Sequence, residues 1–182
     1  MRIISGTQRG KPLQAPAGDK TRPTPSRVRE ATLNALNSLN AVRNATVLDL
    51  FAGTGALGIE ALSRGAAHAT FVENNPAAIK AIETNLAKTD FTGKSEVLPL
   101  DAHVALSVFA RNNRQFDLAL VDPPYDFSSW DELLESLPTT VAAIESDHEI
   151  AVPTRWDTLR AKRYGSTWVT VIKAGNIKAT ER

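Results

Sequence analysis

Asp122-Pro123-Pro124-Tyr125 closes a strongly apolar run, 116–121, and is the stretch whose residue types most plainly suit chemistry. Two prolines remove two amide donors and stiffen the backbone, so the stretch offers a carboxylate and carbonyls as acceptors. Tyr125 adds a flat ring on which a base can stack. Such a group suits an exocyclic NH2 on a planar ring. That nitrogen is a weak nucleophile, because its lone pair is delocalised into the ring. Acceptors on Asp122 and the Pro123 carbonyl hold both N–H bonds and favour the pyramidal geometry that frees the lone pair.

A second constellation lies upstream. Residues 47–65, VLDLFAGTGALGIEALSRG, read as a buried strand, a glycine turn and a helix. Gly53-Thr54-Gly55-Ala56-Leu57-Gly58 matches the G-x-G-x-x-G dinucleotide fingerprint, with Glu73 about 20 residues on. Asp49 argues against a pyrophosphate ligand, since an anion before the turn repels one. It suits instead a ligand with a positively charged amino-acid end. S-adenosylmethionine carries an α-ammonium, a sulfonium, a ribose and an adenine. Glu73, ending the next strand, can accept from the ribose hydroxyls, and Asp101, ending the third, from the adenine amine. In an open α/β sheet such strand ends converge on one crevice.

Those residues need elements to bring them together. Residues 67–72, 95–100, 116–121 and 149–152 read as strands, and 76–87, 102–110 and 130–137 as helices. The alternation predicts a mostly parallel sheet covered on both faces. Residues 167–174 alternate with no helix before them; with the turn at Arg163-Tyr164-Gly165 they predict an antiparallel hairpin at the sheet edge. Residues 2–16 predict a β-hairpin with Arg9 and Lys11 near its turn. Thr24 is expected to cap a helix that starts at Pro25. Arg22, Arg27 and Arg29, at or near the start of that helix, oppose its dipole, so an external anion is expected to compensate them. With no repeats, one domain is expected over 1–182, a hairpin-and-helix extension (1–40) ahead of a core (41–182).

Composition narrows the class. The net charge is +1, yet the bases gather at both ends of the chain around an acidic middle. That pattern suits an anionic macromolecule gripped by the ends. With no cysteine there is no disulfide, zinc-thiolate site or cysteine nucleophile. His68, His103 and His148 share no motif, so no metal is expected. No apolar run approaches the roughly 18 residues of a membrane span, and the N-terminus lacks a signal-peptide core. A cytoplasmic protein is expected.

DLFAGTGALGIEALSRG, the VEN at 72–74, the LDA at 100–102 and DPPY together resemble the class I S-adenosylmethionine-dependent amino-methyltransferases. MRIISGTQRGKPL and RPTPSRVREATLNAL resemble, more narrowly, the RsmD family of bacterial 16S ribosomal RNA guanine-N2 methyltransferases. The resemblance implies a Rossmann-like class I fold: a seven-stranded, mostly parallel sheet with an antiparallel last strand, helices on both faces and an N-terminal β-hairpin. It implies S-adenosylmethionine contacts at Asp49, Phe51, Gly53, Thr54, Gly55, Glu73, Asn74, Asp101 and Ala102. The target base falls to Asp122, Pro123, Pro124 and Tyr125. Arg9, Lys11, Arg22 and Arg27 would hold the RNA backbone, with Arg22 and Thr24 closing over the site. The implied partner is 16S ribosomal RNA, within an assembling or assembled small subunit. Two positions depart from the family pattern: Thr32-Leu33 replaces a bulkier apolar pair, and AVPTRW at 151–156 lacks an acidic strand end. Three other readings share parts of these motifs: an amino-methyltransferase of DNA adenine or another RNA base, a nicotinamide oxidoreductase, and a non-catalytic RNA-binding assembly protein.

Overall fold

The computed structural model describes residues 1–15 and 26–175. In chain order the elements are α1 (Ser26–Ser38), β1 (Thr46–Leu50), α2 (Ala56–Ser63), β2 (His68–Val72), α3 (Pro76–Lys88) and β3 (Ser95–Leu98). Then come α4 (Ala102–Arg111), β4 (Leu118–Val121), α5 (Trp130–Ser136), β5 (Val141–Ser146), β6 (Trp156–Tyr164) and β7 (Thr167–Ala174). The strands form one seven-stranded sheet in the order β3-β2-β1-β4-β5-β7-β6. β1 to β5 are mutually parallel, and β7 lies antiparallel to both β5 and β6. Six strands therefore run one way and the last in sequence opposes them. This is the Rossmann-like class I architecture.

Both faces of the sheet are covered, which is why its central strands are apolar at nearly every position. Val47, Phe71, Leu120 and Ala143 pack with Leu36 of α1, Ile59 of α2 and Ile82 of α3. Leu48, Val72, Val121 and Ile144, on the other face, pack with Phe109 of α4 and Leu134 of α5.

Two expectations need correction. Residues 149–152 form no strand; the fifth strand is β5 at Val141–Ser146, registered with β4 through Ala119↔Ala142 and Val121↔Ile144. VAAIES is alanine-rich and does not alternate, so periodicity cannot tell it from a buried helix segment. The acidic strand end missing from 151–156 is thus present earlier, as Glu145. The second correction concerns Arg29. It is fully buried, and its charge is answered inside the protein.

The N-terminal segment is a short hairpin. Its arms are joined by Gly10 N–H to Ile3 O (2.9 Å), Ile3 N–H to Lys11 O (3.0 Å) and Leu13 N–H to Met1 O (2.9 Å). It seats against the end of α2 so closely that a Cβ on Gly6 would lie 1.8 Å from the Ser63 carbonyl oxygen, at a backbone φ of +87°. Only glycine meets both conditions. Glu60 of α2, fully buried, fastens it: its carboxylate accepts from Ile4 N (2.8 Å), Ser5 N (2.9 Å) and Arg64 Nε (3.0 Å). Arg29 Nε lies 3.9 Å from Glu60, and Arg29 donates to the Arg2 carbonyl at 2.7 Å. Burial lowers the Arg29 pKa, while Glu60 and Glu145 pull it back up. The expected cap at Thr24 and Pro25 lies outside the described residues.

Candidate active site

The strand order reverses between β1 and β4, and at that switch point a crevice opens past the carboxyl ends of the strands. It is a cavity of about 770 Å³ whose lining includes Asp49, Phe51, Gly53, Thr54, Glu73, Asn74, Asp101, Ala102 and the whole of Asp122 to Tyr125. Four chain segments far apart in sequence meet there.

Asp49 sits on β1 and is 1% exposed; its Oδ2 accepts from Gly58 N at 2.9 Å. Gly58 permits this, because a Cβ there would fall 2.4 Å from Phe71 Cε1 and 2.9 Å from Asp49 Oδ2. Burial pushes the Asp49 carboxyl well above its usual range; the Gly58 N–H opposes the shift, and Asp122 and Glu73 add to it. A buried carboxyl so placed gains most from a cationic ligand. The turn after β1 winds through positive φ at Phe51 (66°), Gly53 (54°) and Gly55 (74°), which turns the backbone into the crevice. Glu73 is locked to that turn: Oε2 accepts from Gly53 N (2.8 Å), and Oε1 from Asn74 N (2.9 Å) and Asn75 N (2.8 Å). A carboxylate has about four lone-pair sites, so acceptor capacity remains for a vicinal diol. Asp101 caps α4 through Oδ1, from His103 N at 2.9 Å, and its helix-capping and cavity-lining roles coexist.

Asp122 to Tyr125 follow β4 directly, and Tyr125 stands half-exposed at the mouth. Phe127, which the sequence did not single out, backs the loop. Its ring meets Phe51 edge-on at 5.5 Å, Trp130 edge-on at 5.0 Å and His103 stacked at 6.1 Å. The sequence reading also passed over Glu145, Ser146 and Thr167, which line the cavity from β5 and β7. Glu145 follows the short apolar run 141–144, but in the sequence it has no prolines or aromatic ring beside it of the kind that set Asp122 apart.

The described RNA-contact candidates lie elsewhere. Arg9 and Arg27 are exposed, and neither they nor Lys11 lines the cavity. Lys11 Nζ pairs with Asp90 Oδ2 at 3.3 Å and donates to the Lys88 carbonyl at 3.2 Å, tying the hairpin to the end of α3. Arg22 and Thr24 lie outside the described residues. Among the described residues no cluster of three or more His, Asp or Glu is arranged to hold a metal ion, and no helix is long and apolar enough to cross a membrane.

The fold and crevice define a class: a Rossmann-like class I methyltransferase. A family model described as Conserved hypothetical protein 95 matches residues 1–173. Ribosomal RNA small subunit methyltransferase D of Escherichia coli is 35% identical over 175 residues, covering 91% of this chain and 85% of its own. The chain belongs to this family, the RsmD family. A solved structure of the Thermus thermophilus hypothetical protein TTHA0928 superposes with a TM-score of 0.83 at 29% identity, over 96% of this chain and 99% of that one. The methyltransferase-fold protein SMU.776, solved in complex with SAH, superposes with a TM-score of 0.65 over 81% of this chain and 48% of its own; at 15% identity it shares the fold alone.

Proposed function

We propose that this protein methylates the exocyclic N2 amine of a guanine in 16S ribosomal RNA, using S-adenosylmethionine. The observation that carries the reading is the meeting of Asp122-Pro123-Pro124-Tyr125 with Asp49, Glu73 and Asp101 in one cavity. The donor set fits the cofactor: buried Asp49 suits its cationic end, Glu73 its ribose and Asp101 its adenine. Phe51, Gly53, Thr54, Gly55, Asn74 and Ala102 complete that side. When bound, S-adenosylmethionine supplies an electrophilic methyl group. A buried acid before the glycines disfavours the pyrophosphate of a nicotinamide cofactor.

The protein's own work is positioning. Asp122 and the Pro123 carbonyl accept the two N–H bonds of the amine and turn its lone pair towards the methyl. Tyr125 stacks on the base, which leaves its own stack at a cost of a few kcal/mol. As the nitrogen gains its fourth bond it becomes cationic and acidic, and Asp122 stabilises that charge and takes up or relays the proton. Arg9, Lys11 and Arg27 hold phosphates, and Arg22 and Thr24 belong to the same grip. The relative's name supports a small-subunit ribosomal RNA as the substrate; our reading takes that RNA within an assembling or assembled subunit, in the cytoplasm.

The test is incubation with radiolabelled S-adenosylmethionine and small subunits from a strain lacking the enzyme, followed by digestion to nucleosides. N2-methylguanosine is the expected product. Label in another nucleoside, or preferential labelling of DNA, overturns the reading.

A further inference from the structure

Glu145, the last residue but one of β5, follows Ile144, which is registered with Val121; Asp122 and Glu145 therefore stand side by side at the carboxyl ends of adjacent parallel strands. The two-residue period puts both on the face that carries Asp49, and both line the cavity. Glu145 is 2% exposed. From α1, Thr32 reaches down to it: its hydroxyl oxygen lies 3.1 Å from Glu145 Oε1 and 3.0 Å from the Val28 carbonyl oxygen. One hydroxyl has one proton for those two acceptors. In a helix a threonine commonly gives that proton to the carbonyl four residues back. Its oxygen then receives a proton from Glu145, which requires a carboxylic acid rather than a carboxylate.

Resting on the function proposed above, we infer that Glu145 reads the Watson–Crick edge of the target base: its Oε2 accepts the guanine N1–H while Asp122 accepts from the N2 amine. Guanine presents two adjacent donors there. Adenine presents a donor beside an acceptor, which would face the Oε2 lone pairs. Thr32 keeps the acid proton on Oε1, away from the base, so Oε2 acts as an acceptor without adding a second negative charge beside Asp122. The charged and polar groups facing Glu145 are Asp122 and Asp49 from the sheet and Arg29 and Thr32 from α1. Burial first, then Asp122 and Asp49, raise its pKa to about 8 against the opposing pull of the Arg29 guanidinium. The acid form is the one present at neutral pH. Thr32, in place of a bulkier apolar residue, is thus part of the reader.

The experiment compares small subunits assembled around 16S RNA carrying either guanosine or 2-aminopurine riboside at the mapped target. Both bases have the N2 amine, but 2-aminopurine has no N1–H. The unaltered enzyme should prefer guanosine in kcat/KM on the order of 10- to 100-fold. Glu145→Leu, which has no acceptor for the N1–H, should shrink that ratio while S-adenosylmethionine affinity stays within a few-fold. If that variant fails to fold, Thr32→Val makes the same comparison, since the acid proton loses its anchor and the ratio should fall. An unchanged ratio in the folded variants overturns the role of Glu145 and leaves the guanine reading intact. Label outside guanosine with the unaltered enzyme overturns the guanine reading, and this inference with it.

Discussion

Replacing Glu60 with Gln probes how a carboxylate outside the crevice holds the segment proposed to grip RNA. Glu60 accepts from two backbone amides of the hairpin and from Arg64, with the Arg29 guanidinium 3.9 Å away. The side chains of Arg29 and Arg64 are 0% and 3% exposed. Removing the charge leaves two buried cations facing an amide that can accept at only one of its two terminal atoms. Removing one partner of a buried ion pair costs roughly 3–5 kcal/mol, and we expect a loss in that range. Urea unfolding gives the stability change, and hydrogen exchange at the Ile4 and Ser5 amides locates it. Those amides should lose protection first, and RNA affinity should fall because Arg9 and Lys11 are displaced. S-adenosylmethionine affinity should hold, since Glu60 does not line the cavity. An unfolding midpoint equal to the parent's, with both amides still protected, would refute the reasoning.

Further expectations concern the crevice and its surroundings. Asp122→Ala should abolish methyl transfer and leave S-adenosylmethionine affinity within a few-fold; equal loss of both would place Asp122 in the cofactor site instead. Neutralising Arg9 and Lys11 together should weaken RNA binding and flatten its salt dependence by about 0.7–0.9 log unit per lost phosphate contact. An unaltered slope removes the hairpin from the RNA interface. For Glu145 the folded pKa is about 8 against an ordinary 4.5, so between those values the native state keeps a proton that the unfolded chain has released. Stability from this group is therefore complete below about pH 4.5, falls as pH rises towards 8 and levels off above it. Glu145→Gln should flatten that part of a stability-versus-pH curve; parallel curves for parent and variant would exclude a raised pKa.

Local features carried the sequence reading of the cofactor corner and the acceptor loop. The glycine turn needs backbone angles that few other residues adopt, the prolines of Asp122 to Tyr125 stiffen their own backbone, and strands buried on both faces are legible as apolar runs. Strand ends then converge by topology alone, so Asp49, Glu73, Asp101 and Asp122 could be placed together from the sequence. Glu60, Arg29 and Glu145 could not. In a string of residues a buried acid looks the same as a solvated one, and their partners lie far along the chain: Ile4 is 56 residues from Glu60 and Thr32 is 113 from Glu145. Whether such a charge is satisfied, neutralised or left for a ligand depends on which distant group folding brings within about 3 Å. Tertiary packing decided that for Glu60, which fastens the hairpin, and for Glu145, which stands beside Asp122 in the crevice.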